Sequence, residues 1–351
     1  MRAGKENGLV IPAASGAAGQ VLTSSGSANV AWATPMGVGG DGGDLQFNNN
    51  GTLGGAAFVN SEGGYLKLIT GLPAVSASGG VVMGAKDQAG RVMPSWVGPL
   101  GLDSTAQANL GLNRIAQVVP IIGSASPTAI GQTVTATGTA TARSLTTTNY
   151  FTSLPRVGYA GSGSVTGSIG GFRTNQQWWR GGGIANAGGF FYTCTFAITN
   201  AAAQASGRSF VGLYSSTAAA SNVEATTLTN AIGVARSTTS NNWMFYGANG
   251  TANSTMIDLG SNFPAGTVSS DFYRLILFAP PGGTTVGWKF IRLNAIDAAT
   301  GQPYTTSGTV TNSALMPTTT AFLAAYGWSS TGALSGTAGF DLIGLYVETD
   351  N

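Results

Sequence analysis

The sequence predicts an all-β fold: a trimeric shaft of short β-hairpins followed by an antiparallel, jelly-roll-like β-sandwich forming a distal knob. Three observations carry that expectation. Glycine accounts for 54 of 351 residues and charged residues for 8 %, where ~7 % and ~25 % are usual. Short apolar runs recur between Gly, Pro and Asn throughout the second two thirds of the chain. Tryptophan-bearing hairpin signatures recur in the first hundred residues.

These numbers also exclude classes. A hydrophobic fraction of 43 % with net charge +2 lacks the polar, self-repelling balance of unfolded chains. The glycines have no period of three, so collagen is excluded. A surface built from Ser, Thr, Asn, Gly and Ala suits a large assembly or life outside a cell. Cys194 is the sole cysteine, so intrachain disulfides are ruled out, and its setting FFYTCTFAI reads as a buried, inert thiol. The opening MRAGKENG carries no signal-peptide pattern, and no run approaches a membrane span. Synthesis in a cytoplasm is expected. Histidine is absent, which removes the commonest general base and metal ligand.

The hairpin units come first. GQVLTSSGSANVAWATP (residues 19–35) sets Val21, Leu22, Val30 and Trp32 around a turn of small polar residues. GDLQFNNNGTLGGAAFV (43–59) places Asn-Asn-Gly between apolar runs. GGVVMGAKDQAGRVMPSWVGP (79–99) loosely repeats the first unit, Trp96-x-x-Pro99 matching Trp32-x-x-Pro35. Isolated two-stranded hairpins are marginal in water. Their apolar side chains therefore need walls, and further copies of the chain around a rotation axis supply them. Val21, Leu22, Trp32, Leu45, Phe47 and Trp96 are the expected trimer core. Residues 37–100 form the shaft.

Residues 101–117, GLDSTAQANLGLNRIAQ, read as a short helical collar capped at Asp103 or Ser104 and ending near Asn109, with plain core packing as the alternative. Residues 118–351 form the knob. Its β-type runs are GQTVTATG, TTNYFTSL, GGFFYTCTFAIT, RSFVGLYS, NNWMFYG, DFYRLILFAP, VGWKFIRLNAI and FDLIGLYVET. In Phe272–Phe278 both faces are apolar, as in a central strand.

Motifs for chemistry are weak. Gly37-x-Gly39-x-x-Gly42 satisfies a dinucleotide pattern, but no helix-forming stretch follows it. GGDGGDLQF nearly fits a calcium-binding nonapeptide without tandem copies. No cofactor, metal site or catalytic residue is expected. Glu224, Asp258, Asp271, Asp297, Asp341, Glu348 and Asp350 are the distal carboxylates, and spacing pairs none of them on one strand face. Between Asp103 and Glu224 there is no acid, yet Arg114, Arg143, Arg156, Arg173, Arg180 and Arg208 fall there. That stretch reads either as scattered solvated arginines or as a positive surface favouring an anionic partner such as phosphorylated polysaccharide. Nucleic acid is disfavoured, because lysine runs and base-stacking motifs are missing.

Gln177-Trp178-Trp179-Arg180 is the sharpest local feature. Neighbours on a strand point to opposite faces, so one Trp can be core while the other faces outward. A sugar-binding aromatic platform is the functional reading, with Arg173, Trp178, Trp179, Arg180, Trp243, Tyr246, Tyr326 and Trp328 as receptor-binding candidates. Packing in the sandwich or trimer interface is the competing one.

In order along the chain, the Gly-Gln-Val-Leu-Thr-Ser pattern, the Gly-Asp-Leu-Gln-Phe-Asn-Asn unit and the Ala-Asn-Leu-Gly-Leu collar resemble elements of bacteriophage tail fibres. WWRGGGIANAGGFFYTCTFAI, DFYRLILFAPPGGTTVGWKFIRL and the terminal LIGLYVETDN resemble the C-terminal knobs of such receptor-binding proteins. The resemblance implies a virion-attached homotrimer, with residues 1–36 holding the attachment segment and first hairpin. It implies other tail or baseplate proteins as partners, and a host surface polysaccharide or outer-membrane receptor bound by the knob without membrane insertion. A decoration fibre and, less favoured, a polysaccharide depolymerase are the other functions open.

Overall fold

A computed structural model describes residues 114–349 apart from 164, 177, 182–187, 203–205 and 267, together with 82–97 and 103–105. Before residue 82 it describes residues 17 and 20 and the strands given below. The chain divides into two units, Met1–Lys86 with Pro94–Ala106, and Asp87–Met93 with Gln107–Asn351.

The first unit is a series of antiparallel hairpins. Strands β1 (Lys5–Glu6) and β2 (Leu9–Val10) pair, as do β3 (Val21–Ser24) and β4 (Val30–Ala33), with Leu22 opposite Trp32. Strands β5 (Asp44–Asn49), β6 (Thr52–Glu62) and β7 (Tyr65–Leu68) form a meander, Asn49 facing Thr52 across the Asn-Gly connection. Strands β8 (Val82–Gln88) and β9 (Arg91–Val97) turn at Ala89 and Gly90, both at positive φ (60° and 92°). Two positive-φ residues give the turn whose twist matches a hairpin. Strand β10 (Asp103–Thr105) adds to β9. Trp32 is 37 % exposed within one chain, while the side chains of Val21, Leu22, Leu45, Phe47 and Trp96 lie outside the described residues.

The helical collar is corrected where it is described. Asp103–Thr105 is extended, and Arg114–Gln117 belongs to strand β11 (Arg114–Val119) of the second unit's sheet. Main-chain pairing with the C-terminal strand overrides the local helical spacing. The remaining collar positions, 106–113 among them, lie outside the described residues.

The second unit is an antiparallel β-sandwich. Its further strands are β12 (Thr128–Ile130), β13 (Val134–Thr137), β14 (Thr139–Ala142), β15 (Val157–Ala160) and β16 (Val165–Thr166). Then come β17 (Ile169–Thr174), β18 (Phe190–Ile198), β19 (Arg208–Tyr214), β20 (Ala231–Arg236), β21 (Met244–Ala248) and β22 (Ile257–Asp258). The last are β23 (Phe272–Ala279), β24 (Val286–Ile296), β25 (Pro303–Val310), β26 (Ala324–Ser330), β27 (Ser335–Gly336) and β28 (Gly339–Thr349). One sheet runs β12-β11-β28-β18-β23-β24-β25, with β15 also on β28 and β14 on β15; the other runs β13-β17-β26-β19-β20-β21-β22. Every pairing is antiparallel, and β16 and β27 form a separate two-stranded ribbon.

Alternation sorts the side chains. Tyr192, Cys194 and Phe196 of β18, Tyr273, Leu275 and Leu277 of β23, and Val211 and Leu213 of β19 meet in the core between the sheets. The opposite parity is buried too, because both outer faces carry covers. Ala89 and Met93 of the β8–β9 tip pack on Phe191 and Ile276. Phe151 packs on Ala197 and Phe272. Ala225 and Leu228 lie against Phe210, Tyr246 and Trp328 on the seven-stranded sheet. A sheet covered on both faces needs continuous apolar runs, which is why FFYTCTFAI and FYRLILFA read as they do.

TTNYFTSL is not a strand, contrary to expectation. Asn149 Oδ1 accepts the Thr152 N–H at 2.8 Å and Thr152 Oγ1 donates to the Thr146 carbonyl at 3.2 Å. These local bonds satisfy the backbone without a ladder, leaving a one-turn 3-10 helix (Phe151–Ser153) that inserts Phe151. Among the described residues no helix is long and apolar enough to cross a membrane.

Candidate functional site

Past the end of β17, Trp178 and Leu323 form an isolated antiparallel bridge. The Trp178 N–H donates to the Leu323 carbonyl at 3.1 Å, and Leu323 donates back. The extended trace alternates its side chains. Trp178 drops into the inter-sheet core, 0 % exposed, while Trp179 turns outward and stays half-buried. Opposite, Phe322 alternates with Leu323 in the same way. Trp179 and Phe322 consequently stack, their ring centroids 6.0 Å apart and 29° from parallel, with Phe322 56 % exposed.

Arg180 points inward again and is buried. Its Nε donates to the Pro317 carbonyl at 3.1 Å and its Nη1 to the Gly283 carbonyl at 3.2 Å. Burial lowers its pKa from the ordinary guanidinium value. Arg180 is thus a tie between three chain segments and not a ligand-facing donor. The return of the chain depends on Gly188 and Gly189, at φ +71° and +84°. The Gly189 N–H donates to the carbonyls of Trp179 and Arg180 at 3.1 and 3.2 Å. A Cβ on Gly188 would sit 2.6 Å from the Gly181 backbone. Gln177 and residues 182–187 lie outside the described residues.

The other aromatic candidates are core, which corrects their reading as surface anchors. Trp243 is 0 % exposed, edge-on to Phe196 at 5.4 Å and to Tyr273 at 5.8 Å. Tyr246, Tyr326 and Trp328 are buried beneath the cover over the seven-stranded sheet. Their hydroxyls serve that cover, Tyr326 donating to the Ala218 carbonyl and Tyr246 to the Leu228 carbonyl at 2.7 and 2.6 Å. Arg173 does likewise, its Nε donating to the Thr217 carbonyl at 2.8 Å.

Three of the six arginines of the acid-free stretch are engaged with acids outside it. Arg143 and Arg156 meet on Asp341 at 2.7 and 3.1 Å, and Arg208 pairs with Glu224 at 2.8 Å. Arg114 is exposed at the start of β11. The described carboxylates of this unit are also occupied. Asp271 accepts from Arg292 and Asn294, and Glu348 pairs with Arg91 at 3.2 Å. Asp258 accepts from Asn242 and the Gly260 N–H, Asp87 from the Gly90 N–H, and Asp297 from the Ala299 N–H. Asp350 lies outside the described residues, and among those described no group of three His, Cys, Asp or Glu side chains gathers as metal ligands would.

Cys194 lies in the core, where burial pushes its thiol up to about 12. Phe322 was not singled out by sequence reasoning. The signal was its place one residue before Leu323, in a segment whose alternation mirrors Trp178-Trp179.

No family model and no curated protein matches the sequence. Among solved structures, a protein of unknown function from Shewanella oneidensis MR-1 is 11 % identical, covers 70 % of this chain and 89 % of its own, and has a TM-score of 0.44. Arcelin-5, a lectin-like defense protein from Phaseolus vulgaris, is 11 % identical over 68 % of this chain and 99 % of its own, with a TM-score of 0.40. Peanut lectin is 12 % identical over 68 % of this chain and 97 % of its own, with a TM-score of 0.42.

Proposed function

We propose that this chain is a non-catalytic bacteriophage tail-fibre adhesin. It is attached to tail or baseplate proteins through residues 1–36, trimerises along its hairpin shaft, and binds a host surface glycan through its β-sandwich. One observation carries the binding part of the reading: Trp179 and Phe322 hold two stacked aromatic faces at the surface, one of them more than half exposed. Large aromatic rings in partly desolvated settings are the preferred anchors of binding sites, and the apolar face of a sugar ring suits such a surface. The exposed Gln176 and Thr320 are the nearest in sequence to add polar contacts.

The hairpins support the shaft. Two- and three-stranded units with short strands bury little by themselves, and Trp32 retains 37 % of its surface in a single chain. Sister chains would cover Val21, Leu22, Trp32, Leu45, Phe47 and Trp96. Three weak sites on one fibre gain affinity by effective concentration. Carboxylates already committed to arginines, amides and backbone N–H groups favour adhesion over hydrolysis.

Sedimentation equilibrium of the full chain, combined with titration against a panel of bacterial surface polysaccharides, tests this. A mass of three chains and saturable binding without release of reducing ends is the expected result. An ordered monomer at high dilution with Trp32 and Trp96 shielded overturns the fibre, and liberation of reducing ends overturns the non-catalytic role.

A further inference from the structure

Three stretches of the chain meet at the Trp179–Phe322 platform. Residues 174–207 carry Trp178 and Trp179, 275–288 carry Pro280, Pro281 and Gly283, and 298–340 carry Pro317 and Phe322. Arg180 ties the three together through the Gly283 and Pro317 carbonyls. A Cβ on Gly189, whose N–H bonds back to Trp179, would lie 2.8 Å from the Pro281 nitrogen. The Gly283 N–H closes its own turn on the Pro280 carbonyl at 2.9 Å. The sequences of these stretches share one property: they hold no Asp, Glu or Lys, and Arg180 is their one arginine.

That arginine offers a surface ligand nothing, because it is buried with its Nε and Nη1 on main-chain carbonyls. The charges that bound the three stretches are engaged elsewhere. Arg173 Nε donates to the Thr217 carbonyl, Arg208 pairs with Glu224, and Arg274 Nε donates to the Thr195 hydroxyl. Lys289 faces Asp87, Asp297 accepts the Ala299 N–H, and Asp341 holds Arg143 and Arg156. The exposed polar side chains close in sequence to the platform are Gln176, Thr284 and Thr320, all neutral. A carboxylate, phosphate or sulfate brought onto these rings would shed water without meeting a counter-charge, and an uncompensated charge is costly to desolvate. The C–H face of an uncharged sugar ring carries no such cost, and its hydroxyls keep their bonds to water or exchange them for amide and hydroxyl partners.

We propose that the platform selects an uncharged polysaccharide and rejects polymers bearing carboxylate, phosphate or sulfate. The inference rests on the adhesin reading above and narrows its ligand. An uncharged polymer takes the place of the phosphorylated polysaccharide considered for the acid-free stretch. Attraction at this site comes from contact between aromatic and sugar rings, which salt does not screen, whereas a contact carried by exposed charges weakens as ionic strength rises.

The test is calorimetric titration of the full chain with bacterial capsular polysaccharides and lipopolysaccharide O-chains, each split by anion exchange into uncharged and anionic fractions. At least one uncharged fraction is expected to bind saturably, with an affinity that changes less than about twofold between about 50 and about 500 mM NaCl. Anionic fractions are expected to bind about tenfold more weakly or worse, and Trp179→Ala/Phe322→Ala to lose about tenfold or more for the uncharged one. The salt series needs only the unaltered protein, so it stands even where the double variant does not fold. An anionic fraction that binds more tightly than every uncharged one, with affinity falling as salt rises, overturns the selection and leaves the adhesin reading in place. Absence of saturable binding by fractions of either kind overturns both. Dissociation of the oligomer in a folded double variant would make the platform a contact between copies of the chain and overturns the proposal as well.

Discussion

Arg156 Nε donates to Asp341 Oδ2 at 3.1 Å, with the two side chains 8 % and 1 % exposed. Arg143 brings a second guanidinium to the same carboxylate and Thr199 donates its hydroxyl at 2.9 Å. Arg156 also lies over the Phe151 ring at 4.8 Å and donates to the carbonyls of Thr152 and Leu154. Asp341 on the central strand β28 therefore anchors the cover that Phe151 inserts.

Removing that anchor leaves a buried arginine without its counter-charge. Asp341→Ala is expected to cost about 3 kcal/mol or more, read by chemical denaturation. A loss under ~1 kcal/mol would mean that the cover is held by packing alone.

Glu224 ties down the cover on the other sheet. Burial pushes its carboxyl up, but bonds from Arg208, Thr238 and Ser237 together outweigh it and hold the pKa below the ordinary carboxylate value. A folded-state pKa below the unfolded one means stability that is full above the unfolded value, near ~4.3, and lost as pH falls through the folded one. Melting temperatures of the protein and of Glu224→Gln should therefore converge as pH drops below about 4. A gap between them that is constant from pH 7 to pH 3 contradicts this.

The alternation at Trp178-Trp179 separates stability from surface. Trp178→Ala should lower stability by about 3–5 kcal/mol through the cavity it leaves, whereas Trp179→Ala should cost under ~1 kcal/mol. Comparable losses for the two in urea denaturation would rule out the platform as a surface feature.

Gly188 closes the loop behind the platform in a left-handed conformation. Gly188→Ala is expected to cost about 1–2 kcal/mol from backbone strain alone, with more from the Gly181 contact, again by denaturation. A neutral change would show that the loop relaxes.

Cys194 should resist a thiol reagent in the native protein and react on unfolding, because the thiolate is the reactive form and burial suppresses it. Native-state labelling at the rate of a free thiol would contradict the core placement.

Much of this architecture was readable one segment at a time. Phe272–Phe278 is apolar on both parities because β23 sits between β18 and β24 with Ile276 beneath the β8–β9 tip. Trp178-Trp179 divides as a strand must. What the sequence could not show were partners distant along the chain. Ile115 and Ala116 fall within the stretch read as a helical collar, yet they pair with Glu348 and Val347 at the other end of the polypeptide. The arginines between residues 103 and 224 read either as solvated or as a positive surface, because Asp341 and Glu224 reach Arg143, Arg156 and Arg208 only through the fold. For Tyr246, Tyr326 and Trp328 surface anchoring and core packing both stayed open, because no local signal reveals that the segment at Ala218–Leu228 covers their face.

The most direct test of the adhesin account is calorimetric titration of the full chain and of Trp179→Ala/Phe322→Ala with a surface polysaccharide from a susceptible bacterium. The account predicts saturable binding by the unaltered protein and about a tenfold or greater loss in the double variant, at unchanged melting temperature. Undiminished affinity in a folded double variant would contradict it.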